Sequence, residues 1–171
     1  MKLELSEKKT KPEVFKDIEN FLTEQKLRVA SKDFERPWGG FFVLDEGQAE
    51  QFGKLFFPGI KISDLKIGGK LSPKILVVQP NKRLSWQYHF RRAEIWKLVA
   101  GDAGIVTSLT DEEGPVNKLI LEKEIRLTQG QRHRLVGLNN WGVVAEIWQH
   151  TDAQKPSDEN DIVRLQDDFG R

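Results

Sequence analysis

The sequence predicts a mostly β domain, an antiparallel sandwich or jelly roll preceded by one helix. Three observations carry this reading. Near the start, Val14, Phe15, Ile18, Phe21 and Leu22 recur at helical spacing and make a single apolar stripe. After the stretch RPWGG at 36–40 the period shortens, and brief runs rich in Val, Ile, Leu and aromatic residues follow one another, punctuated by Gly, Pro and Asn. No helical stretch separates those runs, which favours an antiparallel arrangement over a parallel α/β sheet.

In chain order, the helix spans Thr10 to Gln25. Thr10 with Glu13 three residues later forms a capping-box pattern, and Pro12 falls in the first turn, where a missing N–H costs little. This helix is expected to pack outside the barrel. The predicted strands are 41–44, 74–79, 83–90, 95–99, 104–109, 116–121, 123–128, 133–138 and 143–150. Turns are expected at Pro80-Asn81, Ala100-Gly101-Asp102, 111–115, Gln129-Gly130 and Asn139-Asn140. The segment 48–57 is too brief a pattern to assign. The tail from Thr151 is polar at first and then carries Ile162, Val163, Leu165 and Phe169, enough apolar surface to dock on the barrel. The division expected is a helical extension at 1–35 and a barrel with its C-terminal tail at 36–171, with no internal repeat.

A chain of 171 residues suits one domain and buries about 70% of its unfolded surface, so a substantial core is available. The 27 Lys and Arg residues balance 26 Asp and Glu, giving a net charge of +1 and no global field for nucleic acid or an anionic membrane. The absence of cysteine excludes disulfides, thiolate catalysis and Cys-ligated zinc, which leaves His and carboxylate as metal ligands. The N-terminus lacks a signal-peptide apolar stretch and no long apolar run appears, so the expected location is cytoplasmic.

Within 83–90, strand alternation places Ser85, Gln87 and His89 on one face and Leu84, Trp86 and Tyr88 on the other. Side chains two apart on a strand can share one ion. Glu94 opens the next strand, and if it faces inward, so do Trp96 and Leu98. Far along the chain His133 begins another strand just after Gly130, which relieves the turn. Two imidazoles, a carboxylate and an amide oxygen would leave coordination positions open, as a catalytic metal needs. These donors alone do not choose among zinc, manganese, iron, cobalt and nickel. The competing reading makes each histidine an ordinary buried one bonded to backbone; the joint spacing of the set favours the ion.

The spacing Gln87-x-His89-x4-Glu94-x6-Gly101 resembles the first motif of the cupin family, with Gln in place of the first histidine. Gly130-x2-His133, followed by Asn139, resembles the second motif, although Thr128 stands where proline is usual. More narrowly, the stretches at 36–41, 83–96, 130–135, 146–149 and 158–171 resemble the cupin domain of type II phosphomannose isomerases, which occurs alone or fused to a mannose-1-phosphate guanylyltransferase. The Gln-for-His substitution belongs to that subfamily. Phe90, Arg91 and Ile95 depart from its usual histidines and alter the rim of the pocket. The resemblance implies a double-stranded β-helix holding one divalent ion on Gln87, His89, Glu94 and His133, zinc first, with manganese, cobalt, nickel or iron as alternatives.

The reaction implied is aldose–ketose isomerisation of a sugar phosphate, mannose 6-phosphate with fructose 6-phosphate. Glu146 shares a strand face with Trp148 and His150 and is the expected proton shuttle, with Glu94 as a second candidate. Arg134, Lys74, Arg83, Arg91 and Trp96 are the expected substrate contacts, the cations for phosphate and the indole for the sugar face. Arg92 lies in the same basic group. The expected assembly is a homodimer. Two other functions remain open on sequence: a non-catalytic cupin that binds a sugar or sugar phosphate, and a metal-dependent dioxygenase.

Overall fold

In the computed structural model, which describes residues 1–170, the apolar stripe forms α1 (Lys11–Glu24), with Val14, Phe15, Ile18 and Leu22 buried. The Glu13 carboxylate accepts hydrogen bonds from both the backbone N–H and the hydroxyl of Thr10, each at 2.7 Å, which fixes the first turn. The chain continues through β1 (Val29–Asp33), β2 (Gly39–Leu44), α2 (Ala49–Phe56), β3 (Lys74–Val78), β4 (Trp86–Tyr88), β5 (Arg92–Ser108), β6 (Asn117–Lys118), β7 (Glu124–Leu127), β8 (Arg132–His150) and β9 (Val163–Gln166). Strand pairing is antiparallel throughout, in the order β1-β2-β3-β8-β4-β9, with β5 joining β6, β7 and β8. Among the described residues no helix is long and apolar enough to cross a membrane.

Alternation along the central strands sorts their side chains into two cores. Ile75 and Val77 of β3, Ile95 and Val99 of β5, and Val143, Ala145 and Ile147 of β8 face outward against α1 and α2. Their neighbours Leu76, Val78, Trp96, Leu98 and Val144 face the barrel interior. The N-terminal helix therefore packs outside, as expected, and covers the larger apolar cluster with the help of Phe52 and Phe56 from α2. Segment 48–57, unassigned from its pattern, supplies α2. Strand β1 lies within the first 35 residues and joins the sheet through β2, with Lys32 opposite Phe42.

Two pairs of predicted strands merge. The runs 95–99 and 104–109 form one strand, β5, and 133–138 and 143–150 form one strand, β8, paired from Arg92 opposite His150 to Ser108 opposite Arg132. The residues read as turns at 100–102 and 139–140 are irregularities inside this strand pair. Between the pairs Gly101/Gly142 and Ala103/Gly137, the stretch from Leu138 to Trp141 on β8 stands opposite Asp102 alone. Gly101 has φ +78°, and a Cβ there would lie 1.8 Å from the Trp141 carbonyl oxygen, so only glycine fits the bend. The tail docks as β9 on β4, pairing Gln87 with Arg164 and Tyr88 with Val163. That strand was not among those read from the sequence: at four residues, largely exposed, it is too short for its alternation to stand out.

Candidate metal centre

The site forms where β4, β5 and β8 converge. Gln87 lies directly opposite His133 in the sheet, and the Gly130 N–H donates to the His89 carbonyl at 3.0 Å, tying the two histidine segments together. Glu94, on the first turn of pleat in β5, faces inward with Trp96 and Leu98, as alternation requires. His89, Glu94 and His133 are each only 2% exposed, and one ligand atom from each lies within 4.8 Å of the others.

Hydrogen bonds to backbone carbonyls assign the imidazole tautomers. His89 Nδ1 donates to the Asp161 carbonyl at 2.8 Å, and His133 Nδ1 donates to the Gln131 carbonyl at 2.9 Å. A carbonyl can only accept, so each Nδ1 carries a proton, and in the neutral ring each Nε2 presents a lone pair. His89 Nε2 stands 3.2 Å from Glu94 Oε1, and His133 Nε2 stands 3.3 Å from Glu94 Oε2. Glu94 Oε2 and His133 Nε2 are both buried without a hydrogen-bond partner. With the rings neutral, two lone pairs face each other in a desolvated site, an arrangement that a cation between them relieves, so the donor set fits a divalent metal. Gln87 lines the same cavity, with its Oε1 accepting from the Ser85 hydroxyl at 2.6 Å.

Electrostatics reinforce the arrangement. Burial lowers the His89 imidazole to about 4, although the Glu94 charge works against it, so the ring is neutral and able to ligate near neutral pH. Burial alone would raise Glu94, but its interactions with the His89 ring, the Arg92 guanidinium and the His133 ring hold its carboxyl well below the ordinary range. Glu146 behaves oppositely. Burial, with the Glu94 charge adding to it, pushes its carboxyl up to about 7, while Lys74 and Arg92 pull it down. The Trp96 indole N–H donates to Glu146 Oε1 at 2.9 Å and orients it.

Glu94 and Glu146 open into a cavity of about 580 Å³, mouth included. Its walls carry Trp38, Trp96 and Trp148, and its cations are Arg36, Lys74, Arg92 and Arg164. Lys74 is buried, pairs with Glu159 and lies 4.0 Å over the Trp148 ring. Of the expected substrate contacts, Lys74 and Trp96 line this cavity; Arg134, Arg83 and Arg91 do not. Arg134 alternates with His133, so it points away from the interior. It is fully buried, and its guanidinium donates to the Leu84 carbonyl at 2.9 Å and to Glu113 at 2.6 Å. Arg83 is engaged by Asp168 at 2.7 Å, and Arg91 by Asp158 and Asp161 at 3.5 and 3.7 Å.

The role of the tail was not evident beforehand. Asp161 orients His89 through its carbonyl and accepts the backbone N–H groups of Phe90 and Arg91 with its carboxylate, at 3.2 and 2.9 Å. His150 is structural: its Nδ1 accepts from the Ser157 N–H at 3.0 Å and its Nε2 reaches the Ser72 hydroxyl at 3.3 Å. Arg92, sharing the inward face with Glu94 two residues on, contacts the donor set directly.

Residues 48–167 match the family described as mannose-6-phosphate isomerase C-terminal. The chain is 27% identical over 143 residues to the mannose-1-phosphate guanylyltransferase of Salmonella montevideo, covering 84% of this chain and 24% of that protein. It is 28% identical over 118 residues to the enzyme of that name from Escherichia coli K12, covering 69% and 23%. The chain thus spans about a quarter of the length of these curated relatives. Among solved structures, the capsular polysaccharide assembling protein CapF from Staphylococcus aureus superposes with a TM-score of 0.52 at 12% identity, over 82% of this chain and 34% of that one. Oxalate decarboxylase from Bacillus subtilis gives 0.54 at 12% identity, over 79% and 30%. These likenesses concern the fold, which is the cupin barrel with its added helix. Since the match at residues 48–167 takes in more than half of the chain, the chain belongs to the mannose-6-phosphate isomerase C-terminal family.

Proposed function

We propose that this domain is a metal-dependent aldose–ketose isomerase acting on a sugar phosphate, with mannose 6-phosphate and fructose 6-phosphate as the interconverted pair. One observation supports it above the rest: unprotonated imidazole and carboxylate donors adjoin a cavity that also holds a carboxyl poised near neutrality and a set of cations. His89, Glu94 and His133 would hold the ion, with Gln87 beside them. When bound, it supplies electrophilic polarisation of the substrate's carbonyl and neighbouring hydroxyl oxygens.

The remaining work falls to the chain's own side chains. Glu146 takes the proton from C2 of the aldose and returns it to C1, which requires a carboxyl able to accept and release near pH 7. The indole of Trp96 holds that carboxylate in place. Glu94, committed to the donor set, leaves the proton transfer to Glu146. Lys74 binds the phosphate, and the Trp96 and Trp148 rings cover the apolar face of the sugar and exclude water.

Replacing Glu146 with Gln tests the assignment. The variant should retain the ion and bind mannose 6-phosphate, yet lose about 10²–10⁴-fold in turnover in a coupled isomerase assay. Turnover within a few-fold of the unaltered protein would remove Glu146 from the reaction.

A further inference from the structure

The guanidinium of Arg92 stands against the lone pairs that an ion would use. Its Nε donates to Glu94 Oε1 at 2.7 Å and its Nη2 to His89 Nε2 at 3.1 Å. From its other edge Nη1 donates to the Ser157 hydroxyl at 2.9 Å and to the Asp158 carbonyl at 3.2 Å. Its central carbon lies 3.6 Å over the Trp148 ring, and the residue is 5% exposed. This is a built arrangement, since every edge of the planar group has a partner or a stacking surface. Glu94 Oε2 and His133 Nε2, by contrast, are buried with no hydrogen-bond partner.

We propose that Arg92 is a resident counter-ion of the metal centre: it holds the lone pairs of Glu94 and His89 while the site is empty and is displaced when a divalent ion arrives. The inference rests on the metal reading above. A lone pair cannot serve a guanidinium N–H and a metal at once, so the ion's apparent affinity is reduced by the fraction of molecules in which Arg92 is engaged. Conversely, without Arg92 the buried carboxylate of Glu94 would face two imidazole lone pairs with no compensating charge. Arg92 therefore favours the empty site and disfavours the filled one. Its anchors Ser157 and Asp158 belong to the tail, so Nη1 can stay bonded there while the Nε and Nη2 edge swings off the donors. The tail that orients His89 thus also receives the displaced cation.

The experiment measures cobalt and zinc affinity by chelator competition, and the cobalt absorption spectrum, for the unaltered protein, Arg92→Met, Arg92→Lys and Lys74→Met. Thermal melts in EDTA and in saturating metal accompany each. Arg92→Met should bind cobalt about tenfold or more tightly than the unaltered protein, the gain expected if Arg92 is engaged in nine molecules of ten or more. It should also melt several degrees lower in EDTA, with the deficit closed by metal. Arg92→Lys, which keeps the charge but reaches one donor at a time, should fall between and decides the matter if the Met variant does not fold. Lys74→Met removes a buried cation of the same cavity that is paired with Glu159 and occupies no donor lone pair, so its gain in affinity should fall well short of that of Arg92→Met.

Equal or weaker metal affinity in Arg92→Met and Arg92→Lys overturns the proposal while leaving the metal centre intact. A gain in Lys74→Met matching that of Arg92→Met also overturns it, because net charge alone would then be acting. Metal bound by Arg92→Met but not by the unaltered protein is its strongest support. Metal bound by none of the four proteins overturns the metal centre itself.

Discussion

Glu94→Gln isolates the charge of the one carboxylate in the donor set while keeping its shape. Glu94 Oε1 accepts from Arg92 at 2.7 Å, and Oε2 faces His133 Nε2 at 3.3 Å. A glutamine can keep both relations, accepting from Arg92 through its carbonyl oxygen and placing its amide nitrogen against His133 Nε2. The metal-free variant therefore loses mainly the charge assistance of a buried pair, about 1–3 kcal/mol. Metal binding suffers far more, because the neutral amide no longer offsets the ion's charge. At a free ion concentration of about 100 times the dissociation constant, the unaltered protein gains about 2.7 kcal/mol by mass action. At roughly 2–4 °C per kcal/mol for a chain of this size, that raises the melting midpoint by about 5–11 °C. Scanning calorimetry in EDTA and in zinc should show this rise in the unaltered protein and a rise of less than about 2 °C in Glu94→Gln. An equal rise in both proteins would refute the assignment of Glu94 as a ligand.

Stability in EDTA should depend on pH in a defined direction. Burial holds His89 and His150 near 4, below the usual 6.5, so the unfolded chain binds more protons at both residues and stability is lost as pH falls from about 6.5 toward 4. Glu146, raised to about 7, acts oppositely between 4.5 and 7 and cancels one of the two histidines, leaving a slope of at most ~1.4 kcal/mol per pH unit between about pH 4.5 and 6.5. Urea melts of His150→Gln should show that slope nearly abolished; an unchanged slope would exclude His150 as its source. Lys74→Ala should weaken binding of mannose 6-phosphate and leave binding of free mannose nearly unchanged. Arg134→Ala should instead cost about 2–4 kcal/mol of stability without altering sugar-phosphate affinity, since it leaves buried partners unsatisfied outside the cavity. Calorimetric titration of both variants separates the two outcomes.

Features governed by strand period were legible in the sequence. Alternation put Gln87 and His89 on one face and grouped Glu94 with Trp96 and Leu98, a group that the structure turns inward. The same rule applied to Arg92 would have placed it beside Glu94, so the signal for its contact was present. The merged strands were not legible, because Gly, Asn and Asp serve equally at a turn and at a bulge, and only the pairing of β5 with β8 distinguishes them. The tail's hold on His89 was hidden for a different reason. It runs through the backbone carbonyl of Asp161, which any residue could supply, so residue identity carries no trace of it.

Solvent exchange tests the central claim most directly. The protein, loaded in turn with zinc, manganese, cobalt and nickel, is incubated with mannose 6-phosphate and with fructose 6-phosphate in deuterium oxide, and both sugars are followed by proton NMR. Proton transfer between C1 and C2 by a carboxyl that exchanges with solvent predicts deuterium at C2 of the aldose and C1 of the ketose, with Glu146→Gln abolishing both signals. Absence of deuterium at either carbon, with metal bound and sugar phosphate in the cavity, would contradict the isomerase reading.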